Sequence, residues 1–218
     1  MIIIRNHRIR VNSRAYRRND AQDVSFGAFG RIQTNANPLV PGAFVVGDVL
    51  PKAAIESMRP NISGPYAVDW SRSQSVGVDY GGPLRFLRVG KPPASLTLKK
   101  LREADLRLAY LECPYRRVAA AINDHPEALK HFRSSRQRDR ARIVSAVWIV
   151  MEAELATEVT ANANVELFYQ GHSLGIRYGT TRNKRVTLPS GTTFAYRLLR
   201  VSSWTNDGKV ASMKMDNP

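Results

Sequence analysis

The chain has few acidic residues, a single cysteine and no long apolar run, and each shortage excludes a class of protein. Only 18 of its 218 residues are Asp or Glu, against 33 Lys or Arg, so the formal net charge is +15. The lone Cys113 excludes an intramolecular disulfide framework and a cysteine-rich zinc module. No stretch approaches the roughly 18 to 20 apolar residues of a membrane helix. The opening apolar run stops at Arg5, too early for a signal peptide. The sequence predicts a cytoplasmic, reducing compartment.

Motifs of enzymes and metal sites are also missing. The sequence contains no GxGxxG, no phosphate-loop motif, no GxSxG and no HExxH. The four histidines show no spacing typical of metal ligands, and Cys113 has no histidine partner in sequence, which favours a buried structural thiol. We therefore expect no catalytic residue, no metal and no cofactor.

The basic residues are concentrated in two arginine clusters. An apolar content of 43% supplies a core for one mid-sized domain, and the cationic excess predicts a polyanionic partner, either nucleic acid or an anionic membrane. Near an anionic surface each such residue contributes about 1 kcal/mol. The predicted lipid-binding residues are Arg5, Arg8, Arg10, Arg14, Arg17 and Arg18 in the first cluster, and Arg133, Arg136, Arg138, Arg140 and Arg142 in the second.

Two segments alternate between apolar and polar residues with the period of a β-strand. They cover residues 66–80 and 151–167. At roughly 3.3 Å per residue the second would span about 55 Å, well beyond a usual strand. Strands of a membrane hairpin, about 9 to 11 residues each, fit the pattern, and so does a sheet with one face on a core and one in water. The pattern alone leaves both interpretations open.

The polar face of these segments is acidic although the chain is basic. If the segments cross a membrane, this face would line the lumen through Asp69, Asp79, Glu152, Glu154, Glu158 and Glu166. The apolar face, extended to the alternation that follows, would insert through Tyr66, Val68, Trp70, Val76, Val78, Leu155, Val159, Val165, Leu167 and Ile176. A nucleic-acid-binding protein has little reason for a long acidic strand face, so the separation of charges favours a membrane.

Other patterns predict the remaining elements. A loop or hairpin tip with exposed Phe26, Phe29 and Ile32 is expected within residues 25–42 because of its Gly and Pro residues. Strands are predicted over residues 43–50, 84–89, 143–150, 185–188 and 193–201, with 143–150 covered on both faces. Helices are predicted around residues 98–108, 118–122 and 127–132.

Three segments resemble the pore-forming domain of gasdermins. Residues 184–197, KRVTLPSGTTFAYR, resemble its strand, turn and strand motif. Residues 143–147, IVSAV, followed by Glu152 and Glu154, are similar to an earlier strand with its acidic continuation. Residues 42–49, GAFVVGDV, resemble the strand before the first membrane hairpin. Order and approximate spacing agree over roughly residues 40–200, and the match is best with the short fungal or microbial gasdermin-like cell-death proteins, which lack the large C-terminal repressor.

The resemblance implies an α+β fold, with a twisted antiparallel sheet, surrounding helices and two regions convertible to long amphipathic membrane hairpins. The hairpins would lie at residues 62–89 and 143–186 and form an oligomeric β-barrel that permeabilises the membrane and causes lytic cell death. Residues 1–201 would be the pore-forming domain and 202–218 a short tail. Phe26 and Phe29 would enter the bilayer, judged on their apolar character. The expected partners are an anionic phospholipid membrane and copies of the chain or of a related variant, without nucleic acid, and the protein would move from cytoplasm to plasma membrane.

Two alternatives stay open. The first is a basic nucleic-acid-binding domain, which only the charge supports; its affinity would fall steeply with salt. The second is an assembly protein whose long strands pair between subunits without a membrane.

Overall fold

The computed structural model describes residues 2–5, 8–11, 14–18, 20–33, 42–67, 84–88, 91–96, 106–134, 139–161, 166–170, 173–177, 185–188 and 192–216. The strands there are β1 Ile2–Arg5, β2 Arg8–Val11, β3 Arg14–Arg17, β4 Ala28–Ile32, β5 Phe44–Val49, β6 Asn61–Ala67, β7 Leu84–Arg88, β8 Lys91–Leu96, β9 Leu106–Glu112, β10 Ala141–Glu152, β11 Glu166–Gln170, β12 Ser173–Arg177, β13 Arg185–Leu188, β14 Thr193–Trp204 and β15 Val210–Asp216. The helices are α1 Lys52–Met58, α2 Tyr115–Asn123, α3 Pro126–Arg133 and α4 Ala153–Ala161, with a 3-10 turn at Ala21–Asp23.

A twisted, mainly antiparallel sheet organises the fold, which is α+β as expected. Its central order is β1-β2-β3-β14-β10-β4-β5. The two long strands β10 and β14 pair with each other, β9 joins the far end of β10, and β6 joins β9. The edge strand β15 pairs with the second half of β14. A separate three-stranded sheet consists of β11, β12 and β13.

Strand β10 is buried on both sheet faces, as its apolar sequence predicted. Ile143, Val147 and Ile149 belong to the larger core, which packs the sheet against the helices. Trp148 and Val150 belong to a second core on the other face. The register of β10 against β14 shifts between Val144 and Ala146 and again between Trp148 and Ile149.

Helices α2 and α3 lie where they were predicted. Val118, Ala121 and Ile122 are buried at the spacing of one helical face. The α3 helix begins at Pro126, and the His125 side chain accepts a hydrogen bond from the Ala128 amide at 3.2 Å. A proline in the first turn and a side-chain acceptor before it are established helix start signals.

Two predictions of secondary structure are wrong. The helix predicted around residues 98–108 is wrong at residues 106–108, which belong to strand β9, because pairing with β10 and β6 overrides the leucine spacing. Residues 98–105 of that prediction lie outside the described residues. The long strand over 151–167 stops at Glu152, and helix α4 follows. Tertiary packing decides the conformation here, since Leu155 and Ala156 of the helix are buried in the larger core.

Most residues after 201 that the structure describes are part of the sheet. The boundary predicted after residue 201 falls within β14, and residues 210–216 form β15. Asn123 of α2 holds the start of β15 through two hydrogen bonds with the Val210 backbone, at 2.8 and 3.1 Å.

Candidate functional site

The N-terminal arginines divide between surface and interior. Arg10 and Arg14 are exposed on β2 and β3. Arg17 and Arg18 are buried, so their predicted contact with lipid is not met in this conformation. The Arg18 guanidinium lies 4.8 Å from the centre of the Phe194 ring. The backbone of Arg5 and Arg8 is in β1 and β2, where the register places Arg8 opposite Arg17.

The second cluster divides in the same way. Arg133 is exposed and donates hydrogen bonds to the carbonyls of Gly208 and Asp207, each at 2.7 Å. Arg140 is exposed in the turn before β10, whereas Arg142 is buried, so its predicted role at the membrane surface is not met in this conformation. Arg136 and Arg138 lie outside the described residues.

The structure brings one arginine of each cluster to the same carboxylate. Nη2 of Arg17 donates to Oδ2 of Asp216 at 3.0 Å, and Nη2 of Arg142 lies 3.0 Å from Oδ1. Both arginine side chains are almost wholly buried, with exposed fractions of 9% and 10%. No sequence pattern indicated this contact, because the three residues lie far apart along the chain.

Phe26 and Phe29 do not form an exposed apolar tip. Both belong to the larger core, where Phe26 is fully buried and the Phe29 ring packs 5.4 Å from the His131 ring. Gly27 adopts a φ of 78°, which allows the chain to turn beside Phe26. Ile32 is half-buried in β4. The prediction of an exposed apolar tip at this loop is therefore wrong.

The second predicted hairpin starts on β10 and continues as helix α4. Glu152 is half-buried and Glu154 is exposed, so the acidic side faces outward at this junction, whereas Leu155 is buried against the core. Val159 and Glu158 lie in α4, Glu166 and Leu167 in β11 and Ile176 in β12. Val165 lies outside the described residues.

The first predicted hairpin is described only at its two ends. Tyr66 on β6 is exposed, at 36% of its surface, and its ring lies 5.3 Å from the Trp148 ring. Strand β7 forms the other end. The remaining predicted residues lie outside the described residues: Val68, Asp69, Trp70, Val76, Val78 and Asp79.

Sequence reasoning missed a partly buried polar cluster between β9, β10 and β14. Nη2 of Arg197 lies 3.3 Å from Oε2 of Glu112, and its Nε lies 3.4 Å from the Ser145 hydroxyl. Tyr110 donates its hydroxyl to the same carboxylate at 2.9 Å, and burial raises the pKa of this phenol well above its ordinary value. These residues are distant in sequence, so no local pattern signals the cluster.

Cys113 beside this cluster is a buried thiol, as predicted. Its residue is 1% exposed, and burial raises the pKa of the thiol to about 12. A thiol with so high a pKa carries almost no nucleophilic thiolate at neutral pH. Cys113 is thus suited to packing and not to covalent chemistry.

The described residues contain no group of three or more His, Cys, Asp or Glu side chains placed to hold a metal ion. In the same part of the chain, no helix combines the length and the apolar character required to cross a bilayer. No family model, curated protein or solved structure matches the chain. The resemblance to gasdermins stays a prediction from three motifs.

Proposed function

We propose that the protein binds acidic membranes, assembles with copies of itself and permeabilises the bilayer through two amphipathic hairpins. The observation that carries this proposal is the junction of β10 and α4. There, a segment with the residue pattern of a membrane strand is folded as a helix directly after a strand of the main sheet.

Converting α4 to an extended chain would lengthen β10 by about the thickness of the bilayer's hydrocarbon core. Helix α4 has 9 residues. At about 3.3 Å per residue, extending them adds roughly 30 Å, close to the hydrocarbon thickness of a bilayer. The helix also contains Thr157, Val159 and Thr160, whose β-branched side chains favour strands over helices. The sequence of α4 is therefore compatible with both conformations.

The two proposed hairpins adjoin in the folded protein. Helix α4 packs on β6, the strand at which the first hairpin begins, and on β9. Displacing α4 would therefore uncover β6 as well. This arrangement supports the release of both hairpins in one step.

The distribution of exposed charge fits membrane contact. Arg10, Arg14 and Arg140 are exposed and available to anionic headgroups, while Glu154 is exposed at the start of α4. In the proposed pore the carboxylates line the lumen and do not compete with the arginines for the lipid surface.

A substitution in α4 tests the proposal. Thr157→Ala favours the helix by about 0.6 kcal/mol, so we expect it to slow dye release from phosphatidylglycerol vesicles about threefold. The Thr157 Oγ1 donates to the Ala153 carbonyl of its own helix at 2.9 Å. The matched control is Ser57→Ala, an exposed hydroxyl residue in α1 whose Oγ donates to the Ala54 carbonyl at 2.7 Å. This control should stabilise its helix without slowing release.

Protease protection provides a second measurement. Residues 151–170 should become protected with phosphatidylglycerol vesicles and not with phosphatidylcholine vesicles. Absence of dye release at every lipid composition, or equal slowing by Thr157→Ala and Ser57→Ala, would contradict the proposal.

A further inference from the structure

The contact between Arg17, Arg142 and Asp216 leaves donor groups unused. A guanidinium binds an oxyanion best along the edge formed by Nε and Nη2, through two parallel hydrogen bonds. In both arginines Nη2 reaches Asp216, yet among the described residues neither Nε has a hydrogen-bond partner although both are buried. Each edge is thus half occupied.

The rest of each guanidinium is fixed by the backbone. Nη1 of Arg17 donates to the Gly42 carbonyl at 3.1 Å. Nη1 of Arg142 donates to the carbonyls of Asp139 at 2.8 Å and Ala141 at 3.0 Å. Because these bonds hold the Nη1 nitrogens, the two Nη2 nitrogens are held in advance at one point, now filled by the Asp216 carboxylate.

A carboxylate is a poor match for this arrangement. It supplies one negative charge and two oxygens, and here each oxygen serves a different arginine. A phosphate group supplies up to two negative charges and enough oxygens to fill both edges.

We propose that Arg17 and Arg142 form a binding site for a phosphate group, and that the Asp216 carboxylate occupies this site in the described conformation. Asp216 lies on an edge strand, because β15 pairs with only β14 among the described residues. The proposal is independent of pore formation, since it concerns an oxyanion and two side chains and requires no membrane.

The first test uses inorganic phosphate and no lipid. Asp216→Asn keeps the shape of the side chain and removes its charge. In chloride buffer of constant ionic strength, calorimetric titration should show phosphate binding at least tenfold tighter than in the unmodified protein. The matched control is Asp207→Asn, which removes an exposed carboxylate from the turn before β15 and should leave phosphate binding unchanged. Adding Arg142→Gln to Asp216→Asn should cancel the gain.

Removal of the carboxylate leaves two buried charges unpaired, so Asp216→Asn will be less stable. If it does not fold in chloride, refolding in phosphate is the measurement, because a ligand that binds only the folded state stabilises that state. Recovery in phosphate supports the site. Failure to fold in both buffers overturns it, as does equal phosphate binding by Asp216→Asn and Asp207→Asn.

A second arm distinguishes a lipid phosphate from a soluble one. Vesicles containing phosphatidic acid are compared with vesicles of phosphatidylcholine alone. If Asp216→Asn binds phosphatidic acid vesicles more tightly and inorganic phosphate removes the gain, the site takes a lipid headgroup. If only inorganic phosphate binds, the site takes a soluble phosphate. Binding of neither would overturn the proposal.

Discussion

Some arginines of this protein are exposed and others are buried within the fold, and Arg197 is one of the buried ones. Its side chain is 4% exposed, whereas its partner Glu112 is 36% exposed. Removing the carboxylate therefore leaves a buried cation without its partner, while removing the arginine leaves a carboxylate that water can reach. We expect Glu112→Ala to lower the free energy of unfolding by about 3 kcal/mol and Arg197→Met by about 1 kcal/mol.

Urea denaturation measures both changes through the midpoint and slope. Glu127→Ala is the control, because its pair with Lys130 is exposed, with side chains 71% and 80% accessible and a separation of 4.0 Å. Exposed pairs contribute little, so this variant should match the parent protein. A larger loss from Arg197→Met than from Glu112→Ala would show that the cluster is not organised around a buried cation.

Among the elements, the hairpin of β14 and β15 has a turn whose stability should depend on pH. The Thr205 hydroxyl donates to the Asp207 carboxylate and lowers the pKa of that group, with Lys209 as a weaker contributor. A lowered pKa in the folded state stabilises the turn above the usual aspartate pKa of about 3.9, and this contribution is lost as the pH falls through the lowered value. We expect Thr205→Val to raise the pKa of Asp207 in an NMR titration. Thr157→Val, in α4, should leave it unchanged, and an equal shift in both variants would exclude a local cause.

The elements also show where sequence reasoning works. Strand β10 and helices α2 and α3 were predictable, because an apolar run between polar ends and a proline at a helix start are local signals. Helix α1 was missed because it has 7 residues, too few for a clear period. Strand β9 and helix α4 were assigned wrongly because pairing with β10 and packing on β6 decide them. The site at Asp216 was unpredictable for the same reason, since its residues meet only through the sheet.

At the scale of the whole molecule, the net charge of +15 is not evenly available to a partner. Arg17, Arg18, Arg142 and Arg197 are buried and contribute to the interior of the fold. The predicted membrane surface is therefore reduced, in the described residues, to the exposed members of the two clusters: Arg10, Arg14, Arg133 and Arg140. If attraction to an anionic membrane depends on this surface, the position of a positive charge should affect binding more than the net charge of the protein does.

Two double variants with the same net charge separate position from total. Arg10→Gln with Arg140→Gln removes one exposed arginine from each cluster, and at about 1 kcal/mol per residue it should weaken binding to phosphatidylglycerol vesicles about thirtyfold. Lys52→Gln with Lys130→Gln removes two exposed lysines from α1 and α3 and should change binding less than threefold, since neither belongs to the clusters. Vesicle sedimentation at fixed ionic strength measures both. Equal losses would mean that binding follows net charge alone, in which case the arginine clusters do not define a membrane surface and a diffuse polyanion partner becomes the better explanation.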